Sequence, residues 1–170
     1  KEVPSMKSIS LSVNRENTNV IMGTTIRTLW GSDTIEDTLG GIKFRISPLS
    51  FYQVNPVQTE KLYGKAVEFA GLTGKETVWD LYCGIGTIGI VAAGAAGRVI
   101  GVELNSKAVE DANINASING IKNIQFINDD AGKFLVEYSK KGKADVVIMD
   151  PPRSGSTKEF LSSLLVMKPK

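Results

Sequence analysis

Carboxylates stand where a series of short apolar runs gives out: Asp80 in Val-Trp-Asp-Leu, Glu103 in Val-Ile-Gly-Val-Glu, the pair Asp129-Asp130, and Asp150 in Val-Val-Ile-Met-Asp. Between the first two lies Gly84-Ile85-Gly86-Thr87-Ile88-Gly89. Glycines at this spacing let the amides of a tight turn and a helix start approach a nucleotide-like ligand, which a Cβ would hold away. Glu103 lies 19 residues past Gly84, where an acid accepts hydrogen bonds from ribose hydroxyls. The sequence has no histidine and a single cysteine, Cys83. That excludes the usual zinc sites, histidine-based acid/base chemistry and an internal disulfide framework. Chemistry here must come from carboxylates, amides, backbone and a cofactor.

The elements that position these groups repeat regularly. Strands are expected over 77–82, 98–103, 123–127 and 144–149, each followed by a helix: to about Ala96, 106–119 with Gly120 as its stop, 131–140, and 158–165. Such alternation implies an α/β fold, a doubly wound, Rossmann-like parallel sheet with its ligand beyond the carboxyl ends of the strands. Asn55-Pro56, followed by Gln58, has the form of a helix start, with Asn capping and Pro in the first turn. That helix is expected to end near Gly71 and to present Leu62, Ala66, Phe69 and Ala70 on one face. Ahead of it, 8–13 alternates polar and apolar, a polar turn follows over 14–19, then Val20-Ile21-Met22-Gly23, 25–30 and 34–39, and Gly40-Gly41 reads as a hairpin turn before 42–46. Residues 1–47 are therefore expected to form a small antiparallel β segment and 48–170 the parallel-sheet domain, truncated after Lys170.

The 170 residues are 42% apolar with 20 basic and 18 acidic side chains, a net +2. That is enough to bury a core, and only mildly basic, so a nucleic-acid partner is permitted by charge without being required. No apolar run approaches a membrane span and there is no secretory pattern. No membrane partner is expected, and the expected location is the cytoplasm.

Gly84-x-Gly86-x-x-Gly89 alone does not separate a nicotinamide dinucleotide from S-adenosylmethionine. Asp80 does more. A buried carboxylate before the glycines repels a pyrophosphate and suits a sulfonium ligand bearing an ammonium group. Asp129-Asp130-Ala131 follows the third strand, where an acid or its neighbouring amide can meet an adenine amino group. In Asp150-Pro151-Pro152-Arg153 the prolines fix an extended turn without amide donors, holding the preceding carboxylate toward ligand and substrate. Each acid taken alone is also an ordinary helix cap or solvated charge. Their occurrence at successive strand ends is what favours S-adenosylmethionine.

Together Ser50-Phe51-Tyr52-Gln53-Val54-Asn55, Asp80-Leu81-Tyr82-Cys83-Gly84-Ile85-Gly86 and Asp150-Pro151-Pro152-Arg153 resemble the RNA (uracil-5-)-methyltransferase family, and within it the bacterial 23S ribosomal RNA branch. The resemblance implies that Gln53, Tyr82, Glu103 and Asp150 contact S-adenosylmethionine, with Asp130 near the adenine, and that the partner is RNA, ribosomal RNA first; Asp80, Gly84 and Gly86 are expected at the same ligand from the strand end and glycine turn read above. In that family a cysteine adds to C6 of uracil, making C5 nucleophilic toward the methyl group, and a glutamate later removes the C5 proton. Both residues are expected after Lys170, so no catalytic residue is assigned within the chain. Cys83, inside the glycine turn, reads as a packing residue. Transfer RNA as substrate, an amine-directed methyltransferase, and a module that binds without chemistry remain as alternatives.

Overall fold

The computed structural model describes residues 3–15, 17, 22–23 and 25–170. The expected turn over 14–19 and the run Val20–Gly23 fall partly outside them. Strands β1 (Ser8–Val13) and β2 (Thr25–Gly31) form one antiparallel ribbon, and β3 (Ile35–Leu39) and β4 (Ile42–Ile46) a second. The expected single antiparallel sheet is thus two separate two-stranded sheets. Gly40 and Gly41, at φ 57° and 80°, make the turn of the second, the two-residue left-handed turn that matches strand twist.

Helix α1 (Pro56–Ala70) begins and ends as its sequence requires: Asn55 Oδ1 accepts from the Gln58 amide, Pro56 sits at the first helical position, and Gly71 closes the helix in the left-handed region. Its inward face differs from expectation. Thr59, Tyr63 and Ala70 are buried, whereas Leu62 and Phe69 are 60% and 79% exposed. Two stripes at helical spacing compete on this helix. The winning one carries a tyrosine whose hydroxyl finds a partner in Thr87, 3.1 Å away.

Strands β5 (Thr77–Leu81), β6 (Arg98–Glu103), β7 (Ile124–Asn128) and β8 (Val146–Met149) alternate with α2 (Thr87–Ala93), α3 (Ser106–Ile118), α4 (Ala131–Tyr138) and α5 (Lys158–Met167). They form one parallel sheet in the order β7-β6-β5-β8. The chain therefore runs outward from β5 to β6 and β7, then returns to β8 on the other side of β5. That reversal places the ends of β5 and β8 side by side at a topological switch point. Element ends differ from expectation by a few residues, most at α2, which stops at Ala93 before Gly94.

The sheet buries both faces. Trp79, Leu81, Val102, Phe134, Leu135 and Phe160 pack on one side; Val78, Val99 and Val146 join Ala93 and Ala96 on the other. A third cluster, Leu39, Phe44 and Ile46 with Tyr63, Ile85, Ile90, Ala108 and Ala116, ties the β3–β4 ribbon to α1, α2 and α3.

That ribbon is also held by a polar ladder. Asn119 Oδ1 accepts from the Lys43 amide at 3.0 Å and its Nδ2 donates to the Lys43 carbonyl at 2.7 Å. One turn earlier on α3, Asn115 repeats the pattern on Arg45. Side chains one helical turn apart match backbone groups two strand residues apart, because about 6 Å of helix rise meets about 6.6 Å of strand. Asp111 continues the row by accepting from Ser50 Oγ at 2.8 Å. Asn119→Ala removes both Lys43 bonds, and the Nδ2 bond to the Asn115 carbonyl, at a half-buried position, so it is expected to lower unfolding free energy by about 1 kcal/mol. Urea denaturation followed by circular dichroism measures it.

Candidate functional site

A cleft of about 300 Å³ opens where β5 and β8 give way to loops, lined among others by Phe51, Gln53, Tyr63, Asp80, Tyr82 and Asp150. Gln53 reaches it from the segment before α1 and Asp150 from the end of β8, where the Asp150 amide donates to the Leu81 carbonyl at 3.4 Å.

Asp80 forms the floor. It is 2% exposed, and its Oδ2 has no hydrogen-bond partner among the described residues. Burial pushes its carboxyl up to about 7; the Gly89 amide opposes this, and the charges of Asp150 and Glu103 add to it. Gly89 makes room for it, since a Cβ there would stand 2.7 Å from Asp80 Oδ2. A buried carboxyl under the charge of two further carboxylates is short of positive charge, which a cationic ligand would supply.

The loop after β5 is shaped by backbone that most residues avoid. Tyr82 sits at φ 67°, a conformation costing a non-glycine residue about 1 kcal/mol or more. It is held there because the amides of Tyr82 and Cys83 both donate to the Val102 carbonyl, at 2.9 and 3.1 Å, while the Tyr82 ring leans on Phe160 with centroids 6.2 Å apart. Gly84 and Gly86 follow at φ 56° and 81°. Gly86 caps α2 and is buried beneath Phe126 rather than lining the cleft.

Glu103 ends β6 beside this loop. Its Oε2 accepts from the Gly84 amide at 3.0 Å and its Oε1 from the Asn105 amide at 2.8 Å. Each oxygen retains a lone pair, so a diol presented there would be accepted by a carboxylate whose orientation is already fixed. Cys83 is buried, and burial, followed by the charges of Asp80 and Glu103, pushes its thiol far above the ordinary range. A buried thiol held in its neutral form is a poor nucleophile.

The structure thus brings together Gln53, Asp80, Tyr82, Gly84 and Asp150 in one cleft and pins Glu103 to its glycine loop. Asp130 stands apart. It caps α4, Oδ1 accepting from the Lys133 amide at 2.9 Å, and lines a separate groove with Lys133, Glu137 and Thr157. The sequence reading missed Tyr63 and Thr87, whose hydroxyls meet in the wall of the cleft. Thr59 and Tyr63, one turn apart, were the available signal.

Residues 72–166 match the family model described as "Methyltransferase domain". An uncharacterized RNA methyltransferase of Caldanaerobacter subterraneus subsp. tengcongensis is 49% identical over 171 residues, covering 100% of this chain and 38% of that protein. One from Halalkalibacterium halodurans is 51% identical, covering 99% of this chain and 37% of its own length. The chain therefore spans less than two fifths of the curated relatives it matches. Among solved structures, the tRNA (uracil-54, C5)-methyltransferase of Pyrococcus abyssi, in complex with S-adenosyl-L-homocysteine, superposes with a TM-score of 0.78 at 36% identity, over 96% of this chain and 39% of that one. A SAM-dependent methyltransferase from Agrobacterium tumefaciens shares the fold, with a TM-score of 0.69 at 21% identity over 84% of this chain and 52% of that one. Among the described residues no helix is long and apolar enough to cross a membrane.

Proposed function

Because the chain belongs to the methyltransferase-domain family, we propose that it is the cofactor-binding core of an S-adenosylmethionine-dependent RNA methyltransferase directed at C5 of uracil. The observation that carries this is the cleft: Asp80, buried and with its Oδ2 unpartnered among the described residues, lines it together with Gln53, Tyr82 and Asp150, and Glu103 is fixed to the adjoining glycine loop. In this reading Asp80 faces the cationic methionine end of the donor, Glu103 accepts the ribose hydroxyls, and the Gly84 loop meets the rest by backbone. When bound, the donor supplies an electrophilic methyl group. Asp150 and the two prolines after it place the acceptor base against it. The glutamine-containing segment before α1 and the likeness to a tRNA uracil-C5 enzyme support uracil as the acceptor.

Ribosomal RNA of the 23S type is the substrate we favour; transfer RNA is the alternative that the solved neighbour supports. The proposed domain boundary lies near residue 47, where the chain leaves the β3–β4 ribbon that shares a core with α1, α2 and α3. The buried Cys83 thiol cannot add to C6 of uracil, so the 170-residue chain is expected to bind the donor and transfer nothing. Incubation with radiolabelled S-adenosylmethionine and unmodified 23S rRNA should leave the RNA unlabelled, and a relative of the longer length that the curated proteins have should label a uridine recovered as 5-methyluridine by mass spectrometry. Labelling at an adenine or guanine nitrogen would refute the uracil assignment. A site-specific test is Glu103→Gln: it keeps the size but removes the charge, and is expected to weaken S-adenosylhomocysteine binding at least about tenfold, read by calorimetry.

A further inference from the structure

We propose that Asn115 is a positioning residue for the cofactor loop, one side chain that fixes both the β4 backbone and the turn between Gly84 and Gly86. The proposal rests on the cofactor-binding reading above. Asn115 is fully buried on α3. Its Oδ1 accepts from the Arg45 amide at 2.7 Å, and its Nδ2 donates to the Arg45 carbonyl at 3.2 Å and to the Ile85 carbonyl at 3.3 Å. The amide thus spends both donor hydrogens on carbonyls from two distant segments. Ile85 lies in the cleft wall between the two glycines, and the turn around it is closed by the Gly86 amide donating to the Cys83 carbonyl at 2.9 Å.

Glycines on both sides of Ile85 leave this turn little intrinsic stiffness. Peptide orientation there decides where the Gly84 amide and its partner Glu103 face. Holding the Ile85 carbonyl from behind fixes the peptide plane from outside the cleft, where the ligand does not compete. Asn119 provides an internal control: it makes the same pair of bonds to β4, on Lys43, and none to the glycine loop.

The experiment compares Asn115→Ala with Asn119→Ala by calorimetric titration with S-adenosylhomocysteine, after thermal melts have established folding. Both variants lower the melting temperature. Asn115→Ala alone weakens binding, by at least about tenfold, while Asn119→Ala stays within twofold of wild type. Equal affinities for the two variants would overturn the proposal. Absence of binding to wild type would instead remove the cofactor-binding reading, and this proposal with it. A second measurement needs no variant. Amide hydrogen exchange on the wild-type protein should show the Arg45 amide, bonded to Asn115 and outside the cleft, gaining severalfold protection when S-adenosylhomocysteine is added. No gain there would count equally against Asn115.

Discussion

Asp80→Asn is expected to stabilise the protein at pH 8 while weakening its hold on S-adenosylmethionine. The carboxyl is fully buried, lacks a partner on Oδ2, and is held at about 7 by burial. Its folded value thus lies above the ordinary 3.8. The folded state therefore binds the proton more tightly than the unfolded chain, and stability contributed by the protonated form is fully present below about pH 4. It is lost as pH rises from there to about 7. A rise of this size corresponds to about 4 kcal/mol at most. Asparagine removes this penalty, so the variant should melt several degrees higher at pH 8 and show a flatter profile between pH 4 and 7. A cationic ligand acts in the opposite direction, since it favours the ionised carboxylate. Wild-type affinity for S-adenosylmethionine should accordingly rise between pH 6 and 8, and Asp80→Asn should abolish that rise and lose at least about tenfold in affinity. Melts and titrations across this range measure both. A variant that is less stable and binds normally would mean that Asp80 is a structural group.

Gly86→Ala is expected to be the most damaging small substitution in the glycine loop. Gly86 combines φ 81° with a site where a Cβ would lie 2.6 Å from Phe126 Cζ and 3.2 Å from Ala112 Cβ. Backbone strain costs about 1–2 kcal/mol, and displacing a ring wedged against β6 adds about 1–3 kcal/mol. Gly84 is the comparison. At φ 56° it carries similar strain, but a Cβ there meets nothing within 4 Å. Gly84→Ala should therefore cost about 1–2 kcal/mol, roughly half the loss at Gly86. Chemical denaturation of the two variants side by side separates sterics from strain. Equal losses would mean that Phe126 moves aside freely.

Much of this architecture was legible because the parallel sheet writes itself as apolar runs ending in acids and glycines. Thr77, Arg98 and the helix starts at Ser106 and Lys158 fall where the sequence pattern put them. What escaped was decided by partners distant in sequence. Leu62 and Phe69 formed a plausible apolar stripe on α1, but the neighbouring α2 offered Thr87 to Tyr63, and the helix turned accordingly. No role was assigned to Asn115 and Asn119 within the expected helix, since nothing local reveals that an unpaired strand edge lies alongside. Asp130 differs in kind, since its side chain meets a local partner, the Lys133 amide in the first turn of α4. Gln53, Asp80, Tyr82 and Asp150 were recognisable as a set from their motifs, and the switch point between β5 and β8 is what makes them neighbours.

The most direct test of the cationic-donor cleft is a pair of calorimetric titrations of the 170-residue chain at pH 8, one with S-adenosylmethionine and one with NAD⁺. Saturable one-to-one binding of the sulfonium compound, with no heat from the dinucleotide, is the predicted result. Binding of NAD⁺ at equal or greater affinity, or no binding of S-adenosylmethionine at millimolar concentration, would contradict it.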